Sequence, residues 1–413
     1  EIKGTLDMAL WFDGDSEKGI TFVGSVEAVI PEVTIKDTYV LPDQINSEIT
    51  GVWQKNDGWE FVFQGLNIGW AGGKALPELD VSVYGDMSSF QGARIASFDL
   101  SNIVKILPEL VPEPKASSKI LVDTLTGLQA RGQLNHIDFQ LRSKEEGWFL
   151  AKGELSDGYI DAYLGVPAFT NVNAVVYAGL NGGYADILSN DGFSIYLPYV
   201  YEKPMEFEHA SGQVSWEINL AEKIAHLTSG LVRLHSDVEV AHGHLSLSLP
   251  FASESLGVKR EPQMTLSIGV EESLAKNYVR YLPKTVPDEL SAWLGDSVLS
   301  GSANDIQFIY HGSIANNPQH SPSILLAMEA ENLSLKFDPE WPQIDEANGF
   351  FSLDNNEVTV LVDTADMLGA DVERASVDLI RIGKERHLAL AITGLSVASA
   401  TQAMTLVKNS PIH

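Results

Sequence analysis

The sequence predicts a mainly β fold, a long antiparallel meander carrying only a few short helices. Three observations lead there: apolar and polar residues alternate at period two in run after run, turn clusters separate the runs, and helical signals are scarce. The chain has 413 residues, 44% hydrophobic and 20% charged, so a sizeable core is feasible and wholesale disorder is not expected.

The alternation comes first. Trp59, Phe61 and Phe63 interleave with Glu60, Val62 and Gln64. Leu245, Leu247 and Leu249 alternate with His244, Ser246 and Ser248, and Met264, Leu266, Ile268 and Val270 with Thr265, Ser267, Gly269 and Glu271. Leu333, Leu335 and Phe337 flank Ser334 and Lys336. Successive strand side chains point to opposite faces, so each run has one apolar face. Between runs lie Asp13-Gly14-Asp15, Lys55-Asn56-Asp57-Gly58, Glu145-Glu146-Gly147, Asn181-Gly182-Gly183 and Asp354-Asn355-Asn356, which supply the positive-φ positions of tight hairpins.

A loose internal echo fits a repeated two-strand unit: Gly51-Val52-Trp53 leads to Gly58-Trp59, and Gly132-Gln133-Leu134 to Gly147-Trp148. Gly212-Gln213-Val214 and Gly349-Phe350-Phe351 open further copies.

Helices are expected at 101–107, capped by Ser101 and stopped by Pro108, at 272–281, and at 288–300, stopped by Gly301. Three short helices cannot cover a dozen strands. The sheet therefore either folds on itself as a sandwich or barrel, or curls into a trough that something else fills. Soft boundaries near 108–114 and 253–262 divide one continuous architecture into segments 1–110, 111–260 and 261–413.

Charge and composition narrow the function. The net charge of −29 repels phosphate backbones, which sets nucleic acid aside as a partner. The absence of cysteine removes disulfides, thiolate metal sites and cysteine nucleophiles, and suits an oxidising compartment such as a periplasm. The chain opens at Glu1 without a leader, and is expected to be a piece of a longer protein.

Catalytic patterns fail one by one. Asp13-Gly14-Asp15-Ser16-Glu17 begins like a calcium loop, but Lys18 and Gly24 stand where Gly and Glu are required. His235, His242 and His244 cluster without a His-Glu-x-x-His pattern, and read as exposed strand histidines rather than zinc ligands. Glu357, Asp363, Asp366, Asp371 and Glu373 read as a solvated acidic face, not a glycosidase pair. Gly-x-Ser-x-Gly and phosphate-binding glycine loops are absent. No enzyme, cofactor or metal is expected.

The order and spacing of several motifs resemble the YhdP family of AsmA-like bacterial envelope proteins. The most specific stretch holds Tyr281, Pro283, Pro287, Leu290, Trp293, Gly301, Gly312, Leu333, Lys336, Phe337, Trp341 and Pro342, and closes with 368–372. Gly51 with Gly58-Trp59, Gly127 with Gly132-Gln133-Leu134, Gly212 with Trp216, and Leu247-Leu249-Pro250 extend the likeness over most of the chain. The segment 311–323 departs from it, with Asn316-Asn317-Pro318 in place of a Phe-Pro-Phe-like element.

The resemblance implies a bridge-like lipid-transfer fold, a long sheet curled into an elongated groove. It implies a Gram-negative parent anchored in the inner membrane, with a periplasmic groove that carries phospholipid toward the outer membrane. Phospholipid acyl chains, other segments of the parent chain and envelope proteins are then the partners. On that reading Trp59, Phe61, Phe63, Leu245, Leu247, Leu249, Met264, Leu266, Ile268, Val270, Leu333, Leu335 and Phe337 line the groove. Tyr281, Pro283, Trp293, Gly301, Trp341 and Pro342 shape it. A lipid-free β-sandwich that docks envelope partners is the alternative, and a carbohydrate-active enzyme the third reading.

Overall fold

The computed structural model describes residues 4–411 except 16–18, 30–33, 36–38, 41, 55–56, 71–72, 111–115, 144–148, 220, 251–259, 281, 285, 287, 316–320, 356 and 383–386. The fold is mainly β, as the alternation predicts: strands take 68% of the residues, and helices are few and short. Twenty-four strands take part in antiparallel sheet pairing, and Thr34–Ile35 with Tyr39–Val40 form a small separate pair. The chain divides into two compact units, unit 1 (Glu1–Phe193 and Gln213–Lys223) and unit 2 (Ser194–Gly212 and Ile224–His413).

Unit 1 is a meander in which each strand pairs with the next: Thr5–Asp15, Gly19–Val29, Gln44–Gln54, Gly58–Trp70, Leu79–Gly85, Phe90–Asp99, Arg131–Leu141, Phe149–Ile160, Ala168–Gly179 and Gly182–Ser189. An aromatic ladder crosses its first strands. Phe12 meets Phe22 at 5.7 Å, Phe22 meets Phe61 at 5.4 Å, and Phe61 stacks on Trp59 at 4.9 Å. Gly51 stands in register between Phe22 and Phe61, and a Cβ there would overlap both rings. The missing side chain lets the rings close over the strand.

Unit 2 pairs Val240–Pro250, Gln263–Leu274, Val298–Ser313, Ser323–Leu335, Ile344–Asp354, Glu357–Met367, Ala370–Ile382 and His387–Val397 in chain order. Its inward faces align row by row. Ile268, Phe308, Leu326, Leu353 and Val358 are direct neighbours across five strands. Phe308, Leu326 and Leu353 are among the most deeply buried side chains of the chain.

The units share an internal repeat that the loose glycine echo does not capture. Asp157, Asn171 and Asn173 correspond to Asn332, Glu346 and Asn348, each pair 175 positions apart, and the first two of each set have positive φ. The hairpin between Ala168–Gly179 and Gly182–Ser189 matches that between Ile344–Asp354 and Glu357–Met367 at the same offset. Upstream, Gly132 (φ 123°) and His136 (φ 49°) recur as Gly301 (φ 118°) and Asp305 (φ 49°). The pairing register shifts at His136 and Asp157, and again at Asp305, Asn332 and Glu346. Such bulges bend a strand and increase its twist, so aligned bulges on neighbouring strands curl each sheet.

Two of the expected helices form with different ends, and the one expected at 272–281 does not form. Ser101–Leu110 runs through Pro108, whose fixed φ is itself helical, and a second helix, Ala116–Leu128, follows. Residues 272–274 end a strand instead of starting a helix, because Glu272, Ser273 and Leu274 pair with Asn304, Ala303 and Ser302; only a 3₁₀ turn, Ala275–Arg280, follows. The third helix stops at Ser297. Gly301 does not terminate it but sits inside a strand, where a Cβ would lie 2.6 Å from the Leu333 side chain.

Candidate functional site, an apolar trough

The inward face of unit 2 carries an apolar trough that encloses about 110 Å³ and is open at its mouth. Its floor is Leu326, Met328 and Ala330, then Leu333 and Leu335. The switch from even to odd numbers follows from the bulge at Asn332 (φ 51°), which inserts a residue and returns Leu333 to the floor. Phe351, Val360 and Val362 extend the floor across the next two strands.

Asp288–Ser297 forms one wall through Trp293, Leu294 and Ser297. Its acidic first turn, Asp288 and Glu289, complements the helix dipole. Trp293 Nε1 donates to the Phe337 carbonyl at 2.7 Å, and the Phe337 ring lies 5.8 Å from that of Trp341. The Lys336 ammonium donates to the Trp341 carbonyl, which leaves the charged head outside the lining. The 21 lining residues include no charged side chain, and only Ser297, Asn348 and the Trp293 indole bring polar atoms. Such a surface suits apolar matter, which is retained by buried area and not by directed polar contacts.

The candidate lining residues fall into three sets. Leu333, Leu335 and Phe337 line the trough. Leu245, Leu247, Met264, Leu266 and Val270 share the inward face of unit 2 but are closed in, at 8, 1, 3, 5 and 2% exposure, with Leu249 and Ile268 half-buried. Trp59, Phe61 and Phe63 belong to unit 1, half-buried beside the aromatic ladder. Of the shaping residues, Tyr281 lies outside the described residues, Pro283 and Pro342 are buried, and Trp293, Gly301 and Trp341 are placed as above.

Residues 1–413 match the family model described as YhdP protein. The chain belongs to the YhdP family. No curated protein and no solved structure matches it. YhdP proteins are envelope proteins, not a known enzyme family, and membership points to an envelope role connected with lipid transport.

The remaining sequence motifs of this YhdP chain fall on the outer face and at turns among the described residues. His209 stands opposite His235 and Arg233 opposite His242 on the outer face, and no group of three His, Asp or Glu placed to hold a metal occurs among the described residues. Glu357, Asp363, Asp371 and Glu373 are exposed, and Asp366 accepts the Gly369 N–H at the hairpin turn. Residues 16–18 of the calcium-like stretch lie outside the described residues. At the ends of the departing segment His311 pairs with Ser323, and residues 316–320 within it lie outside the described residues. Among the described residues no helix is long and apolar enough to cross a membrane.

Sequence reasoning missed Asn332, Asn348 and the second helix. The helix had a visible signal in Leu121, Leu125 and Leu128 at helical spacing, with Leu125 seven residues before Gly132 as Leu294 is before Gly301.

Proposed function

We propose that this chain is a non-catalytic segment of a periplasmic conduit that shields phospholipid acyl chains between the inner and outer membranes. The observation that carries the reading is the charge-free trough of unit 2, open at its mouth in a chain of net charge −29. Exposing one methylene to water costs about 0.8 kcal/mol, so a sixteen-carbon chain costs on the order of 12 kcal/mol. A lining of aliphatic and aromatic side chains removes that barrier, while the head group stays in water at the mouth.

The test is the lipid content of the chain purified without detergent from phospholipid-bearing membranes, measured by mass spectrometry. The unmodified chain is expected to carry phospholipid, and Leu333→Arg, which puts a guanidinium on the trough floor, to lose about tenfold or more. A folded, unmodified chain free of lipid rejects the proposal and leaves the lipid-free docking module.

A further inference from the structure

One buried segment of unit 2 packs on its inward face beside Phe308. Between the strands Phe193–Tyr196 and Met205–Phe207 the chain forms a strap at 197–204. Its inner side is apolar: Leu197, Val200 and Tyr201 are 4, 0 and 3% exposed. Tyr199, Glu202 and Lys203 point to solvent. The Tyr201 ring sits 6.0 Å from Phe308, and the strap is clamped by the Lys284 N–H donating to the Val200 carbonyl at 2.8 Å and by the Lys284 ammonium on the Pro198 carbonyl.

The lining changes along the strands, beyond Phe308 and its sealed neighbours Leu326 and Leu353. On the side of Gln263–Leu274 and Val240–Pro250, the inward residues Leu266, Met264 and Leu247 are sealed. On the side of Ser323–Leu335, Leu333 and Leu335 face the open trough. The sealed and open parts belong to one inward face, and the strap meets the sealed part at Phe308.

We infer that the strap is an intramolecular occupant of the apolar face, an autoinhibitory cover that an acyl chain displaces. The inference rests on the reading of the trough as a hydrocarbon site. Exchange replaces one apolar cover by another, so the lining stays dry throughout. A long acyl chain hides more apolar surface than Leu197, Val200 and Tyr201 give up. The occupied state is then selected by its extra affinity for hydrocarbon, and the strap holds the face closed in its absence. The clamp at Lys284 ties the strap to the chain segment just before the wall helix.

The absence of cysteine makes the test clean, since an added pair can form only one intramolecular bridge. Val200→Cys with Lys284→Cys places two thiols at positions joined by a backbone hydrogen bond, within the reach of a disulfide. The full chain, oxidised or reduced, is irradiated with a diazirine-bearing palmitic acid, and labelled peptides are mapped. In the oxidised form labelling is expected on 323–362 and absent from 240–274. Reduction is expected to raise labelling of 240–274 roughly tenfold or more, within the range of ordinary two-state coupling. Tyr201→Ala is expected to raise it without any reductant. Equal labelling of 240–274 in both redox forms overturns the strap as a cover, and so does none after reduction while 323–362 is labelled. Labelling nowhere, in a protein whose circular dichroism is unchanged, overturns the hydrocarbon reading itself, and the strap inference with it.

Discussion

The backbone N–H of Asn332 donates to Oδ1 of Asn348 on the neighbouring strand at 3.1 Å. The same bond recurs in unit 1, where the Asp157 N–H donates to Oδ1 of Asn173 at 3.1 Å. Both donors sit at bulges with positive φ, which a ladder hydrogen bond cannot serve, and a side-chain amide takes the orphaned N–H. Asn348 also donates to the Glu346 carbonyl and to Thr364 Oγ1, at 2.9 and 3.0 Å, so one side chain ties three strands where the trough bends.

Asn348→Ala is therefore expected to cost about 1 kcal/mol or somewhat more, the usual net worth of such bonds. Asn173→Ala is expected to cost a similar amount, because Asn173 holds the equivalent bulge. Urea denaturation of the two variants checks this. A neutral effect in both would show that the bulges are held by packing alone.

Gly301→Ala is expected to be worse than either. The residue sits at φ +118°, a conformation costly for any side chain, and a Cβ would press on Leu333 and on the backbone of the next strand. A loss of about 1–3 kcal/mol is expected for the strain. Because Leu333 lines the trough, the variant is also expected to reduce the lipid recovered by mass spectrometry. Gly73→Ala is the control, since its Cβ would meet nothing within 4 Å although φ is +79°. Equal losses at both glycines would assign the whole effect to backbone conformation.

What the sequence made legible follows the range of the forces involved. Period-two alternation is local, so Met264, Leu266 and Val270 could be placed on one inward face without knowing their partners. The hairpin at Asp354-Asn355-Asn356 is equally local, and Asp354 pairs with Glu357 across it. The bulges were not readable. Asn332 is a residue type that tolerates positive φ, but Glu346 is not, and it adopts φ 54° only because Asn348 and the neighbouring register hold it there. The strap was unreadable for the same reason. Residues 197–204 hold two prolines and no alternation, and the burial of Val200 depends on partners such as Lys284, more than eighty positions away. The extent of burial at Leu247 was likewise hidden, since alternation tells which face is inward and not what lies over it.

That difference in burial sorts the charged substitutions. Leu247 is 1% exposed, so Leu247→Arg is expected to unfold unit 2, because a guanidinium there has neither water nor a partner. Leu333 is half-buried on the floor of an open trough, so Leu333→Arg is expected to keep the fold and to lose lipid. Near-ultraviolet circular dichroism separates the two outcomes. A folded Leu247→Arg protein would mean that water already reaches that part of the face.

Two tyrosines are expected to make the fold sensitive to alkaline pH. Burial pushes the Tyr310 phenol above its ordinary value of 10.0, while its hydroxyl donates to the Ser313 carbonyl at 3.0 Å. Tyr84 is raised too, first by burial and then by its bond to Asp138. A phenol whose folded value is raised keeps its proton in the native state after the unfolded chain has released it. Its contribution is therefore fully present below pH of about 10 and is lost as pH rises through the folded value. Tyr310→Phe is expected to lower stability slightly at neutral pH, through loss of the Ser313 bond, and to flatten the decline above pH of about 10. Urea midpoints across the alkaline range measure the slope, and an unchanged slope in the variant would assign the decline to other groups.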